Sequence, residues 1–389
     1  MSPAAFAPQE ILERIFRHAA TGTLDVPSKS WRLRGYPNND ASKAIGQVPL
    51  VNRHWNEPAT RILYWQLVLN EGDEDTPAAS PKDALLRRTL EQSPRLQAHV
   101  RSLRLNTWTG DINKGEKLKW SNLRILRCCT LLQHLWIFGW IPSLLNQFHT
   151  TIATFTGLRY LSIRSYKNDR IIFCSFKELE AMMRGWPNLE RLNIQGRVVT
   201  DNGGESVRST QSPPIPKHVT RLILYGPSPL EGFTLIIPNL AELSLSMGDD
   251  PTLFLLHAQR WNRTLRCLKL WTRRAITETQ WSAVMMAICG FERLQILSIQ
   301  GSFPLALLEL PDTLEEFTFM VRSGGLPVLF DVLDQKLPRP IRKVKFEASY
   351  PYRSLKTQHD LESALQVFCD KRKWKWRVHD YHVYLITSS

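Results

Sequence analysis

The sequence predicts an α/β fold in which a small all-helical N-terminal unit precedes a solenoid of parallel strands. Three observations predict it: an amphipathic helix near the N-terminus, a six-residue apolar pattern that recurs along most of the chain, and helix-capping residues between several copies of that pattern. At 389 residues the chain exceeds one ordinary core, so we expect two or three units or one elongated array.

The N-terminal unit begins with an amphipathic helix over residues 8–19. Its apolar stripe consists of Ile11, Leu12, Ile15, Phe16 and Ala19. A polar stretch, residues 21–44, follows as an inserted loop, and further helices are expected between Val48 and Trp65. So small a unit offers few neighbours to cover its apolar side chains.

Two motifs in this unit resemble the F-box. They are Pro8-x-Glu10-Ile11-Leu12-x-x-Ile15-Phe16 and Val48-x-Leu50-Val51-Asn52-Arg53-His54-Trp55. Ala7 stands where the F-box pattern has Leu, and Asn52 stands where it has Cys. The continuation to Leu69 is similar to the segment that leads into leucine-rich repeats in fungal members of the family.

This resemblance implies that the unit binds the adaptor subunit of a Skp–cullin–F-box ubiquitin ligase. Three short helices cannot enclose every large apolar side chain they carry, so the surplus is expected to be buried across that interface. The implied adaptor contacts are Pro8, Ile11, Leu12, Ile15, Phe16, Leu50, Val51 and Trp55. Alternatively, the helices only pack on the first repeat as its N-terminal cap.

The recurring pattern is apolar, two of any residue, apolar, one of any residue, apolar. Its ten copies begin at Val100, Leu132, Leu158, Leu189, Val219, Leu240, Leu265, Leu294, Leu314 and Ile341. The alternation is typical of a half-buried strand, and the first apolar residue anchors the chain where it approaches the strand. Steps of roughly 20 to 32 residues predict an irregular leucine-rich repeat. Its parallel strands line the concave face, and helices or extended segments line the convex face.

Helix signals lie between several copies. Two capping boxes are predicted, Ser175 with Glu178 and Thr277 with Gln280. Gly290 is predicted to be a left-handed C-terminal cap, and a helix is expected from Pro251 to about Trp261. The predicted domains are the F-box-like unit 5–70, a linker and connecting helix 71–98, the repeat solenoid 99–356, and a C-terminal helix and capping strand 357–389.

The residues that flank the apolar positions of each strand should point into the concave face. Arginines and aromatic residues on one exposed surface are typical of interface anchors. The predicted client-binding residues are Arg104, Trp136, Phe138, Tyr160, Arg164, Arg191, Arg221, Tyr225, Lys269 and Trp271. We expect an acidic or phosphorylated protein client, held by forked hydrogen bonds from Arg164, Arg191 and Arg221. Alternatively, this is a solvated face whose arginines only keep the sheet soluble.

The composition indicates the cellular compartment of the protein and the charge of its partners. Hydrophobic residues make up 43% and charged residues 22%, as in soluble globular proteins. The formal charge of +14 favours acidic partners. Six cysteines without paired spacing indicate reduced, buried thiols. No secretory signal or membrane-spanning run is present, so we expect a cytoplasmic or nuclear protein without membrane contact.

No motif predicts catalysis. The sequence lacks GxSxG, GxxxxGK, HExxH and the Rossmann glycines, and its Cys and His residues lack metal-site spacing. We therefore expect a non-enzymatic protein with no cofactor and no metal. The alternative function is a leucine-rich-repeat scaffold, or a nucleic-acid-binding protein that uses the basic and aromatic residues between Lys371 and Arg377. Those residues also fit the end of a last helix, from Thr357 to about Arg372, and a closing strand from Trp374 to Val378.

Overall fold

The computed structural model divides by compactness into two units, Met1–Tyr166 and Lys167–Ser389. The inserted loop predicted after Thr21 and the predicted linker before Pro81 fall outside the residues that the structure describes. The described residues are 8–21, 53–70, 81–106, 123–139, 145–164, 172–199, 218–224, 233, 237–247, 251–272, 276–300, 308–321, 332–337, 341–348, 355–379 and 382–387.

The first unit combines helices with four parallel strands. Its helices are α1 (Gln9–Thr21), α2 (Arg53–Trp65), α3 (Pro81–Gln92), α4 (Pro94–Gln97) and α5 (Leu145–Ile152), and residues 123–128 are also helical. Its strands are β1 (Gln66–Asn70), β2 (Ser102–Asn106), β3 (His134–Phe138) and β4 (Tyr160–Arg164). Each strand pairs in parallel with the next, without a register shift.

Two apolar rows cross these strands and form the inner face of the sheet. The rows are Leu67, Leu103, Leu135, Leu161 and Leu69, Leu105, Ile137, Ile163. All eight side chains are buried, as the alternation of the strands requires. The intervening residues point to the opposite side of the sheet, which we call the polar face.

The second unit continues the same pattern over more strands. Its strands are β5 (Ile172–Ser175), β6 (Arg191–Gln195), β7 (Arg197–Val199), β8 (Arg221–Leu224), β9 (Glu242–Met247), β10 (Cys267–Thr272), β11 (Ile296–Gln300), β12 (Glu316–Val321), β13 (Lys343–Ala348), β14 (Trp374–His379) and β15 (His382–Thr387). Its helices are α6 (Phe176–Arg184), α7 (Pro251–Ala258), α8 (Glu278–Cys289) and α9 (Leu355–Arg372), with a 3-10 turn at Gln259–Trp261, and residues 332–336 are also helical.

The strands of the second unit are mostly parallel. The order is β6-β8-β9-β10-β11-β12-β13-β15-β14, and β5 pairs with β7 in a separate two-stranded sheet. The pairing is parallel from β6 to β13, whereas β15 is antiparallel to both β13 and β14. The architecture is therefore α/β with a large, mostly parallel sheet, which is compatible with a solenoid-like fold.

All ten predicted hexamers contain a strand, and each strand begins at the third residue of its hexamer. The first apolar residue of every hexamer is buried, as expected for an anchor. In eight of the hexamers, the carbonyl of the second residue accepts two hydrogen bonds from the next hexamer. For example, Arg101 O accepts from Gln133 N (2.8 Å) and His134 N (2.9 Å). This repeated contact aligns neighbouring strands before their ladders begin.

Strand β1 was not among the predicted repeats, because sequence analysis placed residues 66–70 at the end of the helical unit. It belongs to the sheet, since it pairs with β2 over five residues. Trp65 O accepts from Arg101 N at 3.0 Å, which extends the ladder to this strand. The segment Tyr64–Leu69 fits the hexamer pattern, so the sequence did contain the signal.

The two predicted capping boxes are confirmed at Ser175 and Thr277, whose side chains accept from Glu178 N and Gln280 N, both at 3.2 Å. The prediction of a left-handed cap at Gly290 is wrong, because its φ is −75°. A Cβ at Gly290 would lie 2.8 Å from Gln259 Oε1. The amide of Gln259 donates to Ala287 O in the last turn of α8. Glycine therefore makes room for this neighbouring side chain rather than for an unusual backbone angle.

The C-terminal helix and closing strand lie where the sequence predicts them, as α9 and β14, and β15 follows as a further strand. Lys371 and Arg372, in the last turn of α9, both donate to the Asp334 carboxylate. These hydrogen bonds lower the pKa of Asp334. No helix in the described ranges is long and apolar enough to cross a bilayer.

Candidate protein-binding surfaces

Helices α1 and α2 pack together around a small core of their own. Its buried members are Leu12, Phe16, Ala59 and Ile62. Trp55 and Leu63 are partly buried against it, and the rings of Phe16 and Trp55 meet edge to face with centroids 5.9 Å apart. Leu12 and Phe16, which were predicted to contact the adaptor, are therefore covered by residues of α2.

Two isoleucines on α1 remain outside this core. Ile11 is 43% exposed and Ile15 is 53% exposed. They lie four residues apart, so they are neighbours on one helical face, which we call the apolar stripe. Pro8 is exposed at the start of the same helix, and its carbonyl accepts from Ile11 N at 3.0 Å.

The eight predicted adaptor contacts therefore fall into different environments. Pro8, Ile11 and Ile15 are exposed, and Trp55 is half-buried. Leu12 and Phe16 belong to the internal core. Leu50 and Val51 lie outside the described residues.

A network of charged side chains joins α1, α2 and the segment around α4. Arg61 on α2 contacts Glu13 on α1 at 2.9 Å and Glu57 at 3.1 Å. Glu57 also pairs with Arg95 on α4, and its Oε1 lies 3.5 Å from His99 Nε2. The network holds the helix pair against the chain that leads into β2.

Acidification is expected to destabilise the first unit through His99. Burial lowers the pKa of His99 below its ordinary value of 6.5, and the positive charges of Arg61 and Arg95 lower it further. Below pH 6.5 the unfolded chain therefore takes up this proton before the folded chain does, so the free energy of unfolding falls. Above that pH His99 is neutral in both the folded and the unfolded state, so it adds nothing to the pH dependence of the free energy of unfolding.

Urea denaturation of the wild type and of His99→Gln, followed from about pH 7.5 down to about pH 5.5, measures this effect. The wild type should lose more stability than the variant across that interval. An identical pH dependence in both proteins would contradict the assignment.

The polar face of the first unit carries a compact group of side chains, which we call the arginine–aromatic cluster. Its members are Arg104, Trp136, Phe138, Tyr160 and Arg164. The guanidinium carbons of Arg104 and Arg164 lie 4.5 Å and 5.5 Å from the centroid of the Phe138 ring. The Trp136 and Tyr160 rings are 5.0 Å apart, and His134 stacks on Trp136 at 5.9 Å.

Two side chains at or beside the cluster are buried, although strand alternation alone would place them at the surface. Tyr160 is buried, because the large ring of Trp136 lies against it. Ser162 is also buried on the polar face, since Trp136 is its direct partner across the strand pair. Arg104, Trp136, Phe138 and Arg164 are half-buried and reach the surface.

The polar face of the first unit carries basic residues and no acidic ones on its described strands. Strands β1 to β4 carry no Asp or Glu at any position of the polar face. The Nε atom of Arg164 is buried and has no hydrogen-bond partner in the part of the chain that the structure describes. Two guanidinium groups thus lie beside one ring on a face without acidic residues of its own.

Two basic side chains on the polar face of the second unit have acidic partners on a neighbouring strand. Arg221 lies 2.9 Å from Glu242 on the next strand, and Lys343 lies 3.5 Å from Glu316. Arg221, which was predicted to bind an anionic client, thus has a carboxylate partner within the protein. Arg191 is exposed.

The other predicted client contacts of the second unit fall on β10 and just after β8. Lys269 and Trp271 are half-buried on β10, and Tyr225 lies outside the described residues.

Four of the six cysteines are buried, namely Cys129, Cys174, Cys267 and Cys369. All six are free thiols. Burial raises the pKa of Cys129 to about 12 and that of Cys267 to about 11. Cys289 differs from the expectation of burial, since it is exposed. Across the described ranges, no group of three or more His, Cys, Asp or Glu residues is placed to hold a metal ion.

Comparison with known proteins assigns no family. No protein-family model matches the chain, and no curated protein is significantly similar to it. The functional interpretation therefore depends on the apolar stripe and on the arginine–aromatic cluster.

Proposed function

We propose that this protein is the substrate-recognition subunit of a Skp–cullin–F-box type ubiquitin ligase. The α1–α2 pair binds the adaptor, and the polar face of the sheet binds a protein client. The protein performs no chemistry itself. It raises the effective concentration of a client lysine near the conjugating enzyme, which accelerates transfer.

The apolar stripe is the observation that carries this proposal. Leu12 and Phe16 fill the internal core of the helix pair. Ile11 and Ile15 on the same helix are not part of this core and remain at the surface. Complete burial of one exposed isoleucine contributes about 1.5–3 kcal/mol. About half of each side chain is still exposed, so burial of the remaining surface of both contributes about that amount in total. Their positions coincide with the first of the two motifs that resemble the F-box.

The capping alternative is also supported, by the attachment of the helix pair to the first strand. Helix α2 ends at Trp65 and β1 begins at Gln66, so the pair is attached directly to the first strand. The apolar stripe is not used in that attachment, since both of its side chains remain exposed. Capping and adaptor binding are therefore compatible roles.

A variant with Ile11→Asp and Ile15→Asp is expected to bind the purified adaptor at least about 100-fold more weakly than the wild type, because each substitution places a charge where apolar burial is required. Titration of the full chain with the adaptor, read out by calorimetry, measures the change. Circular dichroism checks that both proteins are folded.

Leu85→Asp is the matched control. Leu85 lies on α3 of the same unit and is 65% exposed, so this variant places the same kind of charge on another exposed helix. It should bind the adaptor as the wild type does. Equal binding by all three proteins, or no binding by the wild type, would refute adaptor recognition through the stripe.

The formal charge of +14 favours nucleic-acid binding as a second candidate function. The rings that would stack on bases are already engaged, however. Trp376 donates to Gln366 Oε1 at 3.2 Å, and Trp374 packs edge to face on Phe368 at 6.1 Å. Strongly salt-dependent binding of an oligonucleotide, together with no adaptor binding, would favour this function.

A further inference from the structure

We propose that two copies of this protein associate through strand β1, whose outer edge pairs in antiparallel with β1 of the second copy. The outer edge is the side of the strand that faces away from β2. Strand β1 lies at one end of the strand order, and among the described strands it pairs with β2 alone. The N–H and C=O groups along such an edge can pair with another chain. The association uses neither the apolar stripe nor the arginine–aromatic cluster, so it goes beyond the proposed function.

The groups on the outer edge follow from the hydrogen bond that begins the ladder. Trp65 O accepts from Arg101 N at 3.0 Å, so this carbonyl points towards β2. Successive carbonyls of a strand alternate in direction, and the N–H of each trans peptide points opposite to its carbonyl. The backbone N–H and C=O groups of Gln66, Val68 and Asn70 therefore point away from β2.

The inner face of this edge is already covered within one copy. Leu67 and Leu69 are buried, whereas the side chain of Val68, between them on the polar face, is half-buried. A partner strand at this edge therefore adds backbone hydrogen bonds and contacts to Val68 instead of filling an apolar groove. Such an interface is small, so a weak, concentration-dependent dimer is expected.

The residue order of β1 suits pairing with itself. The strand reads amide, Leu, Val, Leu, amide in either direction. In an antiparallel pair centred on Val68, this valine lies opposite Val68 of the second copy, and each Leu67 lies opposite a Leu69. The same register sets the outward backbone groups of Gln66 opposite those of Asn70. The arrangement is self-complementary, as the interface of a two-fold symmetric dimer requires.

The two edge strands of the sheet differ in charge. Edge strands are commonly protected from pairing by lysine, proline or a bulge. Strand β14, the edge strand of the second unit, carries Lys375 and Arg377, so self-pairing there would set like charges opposite one another. Strand β1 has no charged residue, no proline and no register shift. A charged peptide finds no complementary charge along β1, which favours a second copy as the partner.

The nearest arginine does not oppose this pairing. Val68 lies beside Arg104 on β2, so a dimer contains two Arg104 residues in one row. Two β1 strands separate them, which places their backbones three strand spacings, about 14 Å, apart. That distance exceeds the Debye length of about 8 Å at physiological ionic strength, so solvent ions screen their mutual repulsion.

Sedimentation velocity of the full-length protein, from about 1 μM to about 100 μM, is the first test, because weak dimers dissociate in this range. We expect a reversible monomer–dimer equilibrium. Amide hydrogen exchange over residues 66–70 should slow as the dimer forms, since the outward N–H of Val68 becomes a donor. A monomer at every concentration, or a dimer that leaves this exchange unchanged, would overturn the proposal.

Two variants of opposite charge test the register. Val68→Lys and Val68→Glu should each dimerise at least about tenfold more weakly than the wild type, because like charges then lie opposite each other at the two-fold axis. An equimolar mixture of the two should recover association. Gln92→Lys is the control, since it adds the same charge at an exposed position of α3 and should dimerise as the wild type does. Wild-type dimerisation of Val68→Lys, or no recovery in the mixture, would contradict pairing through Val68.

A conservative variant and the adaptor keep these results interpretable. Val68→Thr keeps a β-branched, uncharged residue and should dimerise as the wild type does. Circular dichroism and adaptor binding by Val68→Lys should match the wild type, which shows that the first unit is folded. Dimerisation without adaptor binding would refute the ligase function and leave the self-pairing edge standing. Slower exchange at Val68 with adaptor, in a protein that stays monomeric, would assign the edge to the adaptor and overturn this inference.

Discussion

Replacing Phe16 with alanine is expected to open the α1–α2 pair. Phe16 is one of four buried residues described in this small core, and it contacts Trp55 edge to face. A Phe→Ala change in a core lowers the free energy of unfolding by about 3–5 kcal/mol. So small a core is not expected to stay closed after a loss of that size. Amide hydrogen exchange over α1 and α2, measured by mass spectrometry, should show faster exchange in both helices. Adaptor binding should fall as a consequence of this opening.

Ile15→Ala is the control for Phe16→Ala. Ile15 lies on the same helix but is largely exposed, so its truncation should change local stability by no more than about 0.5 kcal/mol. Hydrogen exchange should therefore remain close to that of the wild type, while adaptor binding weakens directly. Unchanged exchange in Phe16→Ala would contradict the assignment of Phe16 to the internal core.

Replacing Trp261 with alanine is expected to produce a large loss of stability in the second unit. Trp261 is buried at the end of the 3-10 turn, and its Nε1 donates to Ile237 O at 2.6 Å. Removal of the ring costs about 3–5 kcal/mol, and the carbonyl of Ile237 loses its indole donor at a cost of about 1 kcal/mol more. Urea denaturation of the full chain, followed by far-UV circular dichroism, measures the change.

Trp261→Phe separates the two contributions. It keeps most of the apolar ring but removes the donor, so a loss of about 1–3 kcal/mol is expected, smaller than in Trp261→Ala. Leu256→Ala, at an exposed position of the preceding helix α7, should leave stability nearly unchanged. Equal losses in Trp261→Phe and Trp261→Ala would mean that the ring itself contributes little.

The strand positions followed from the sequence because one residue pattern encodes both an anchor and an alternating strand. Every predicted hexamer forms its strand at the same internal position. The first strand was missed because Tyr64-Trp65-Gln66-Leu67-Val68-Leu69 also completes a helical segment, and helix propensity and strand alternation overlap there. Its identity became clear only from the pairing of Leu67 and Leu69 with β2.

The binding surfaces were only partly predictable. Alternation assigns a side chain to a face, but the size of its cross-strand neighbour decides its exposure, as Trp136 does for Ser162. The Arg221–Glu242 pair was accessible in principle, since both residues are third in successive hexamers. The division of the α1 stripe into covered and uncovered residues depends on where α2 lies, which helical periodicity alone does not specify.

The direct passage from Trp65 at the end of α2 to Gln66 at the start of β1 has a mechanical consequence. No flexible residue separates the helices from the first strand, and the charged network around Glu57 braces the same junction. In a ligase, a guest on β2 to β4 would thus be held at a fixed distance from the adaptor. Only lysines within a narrow zone of that guest would then reach the conjugating enzyme.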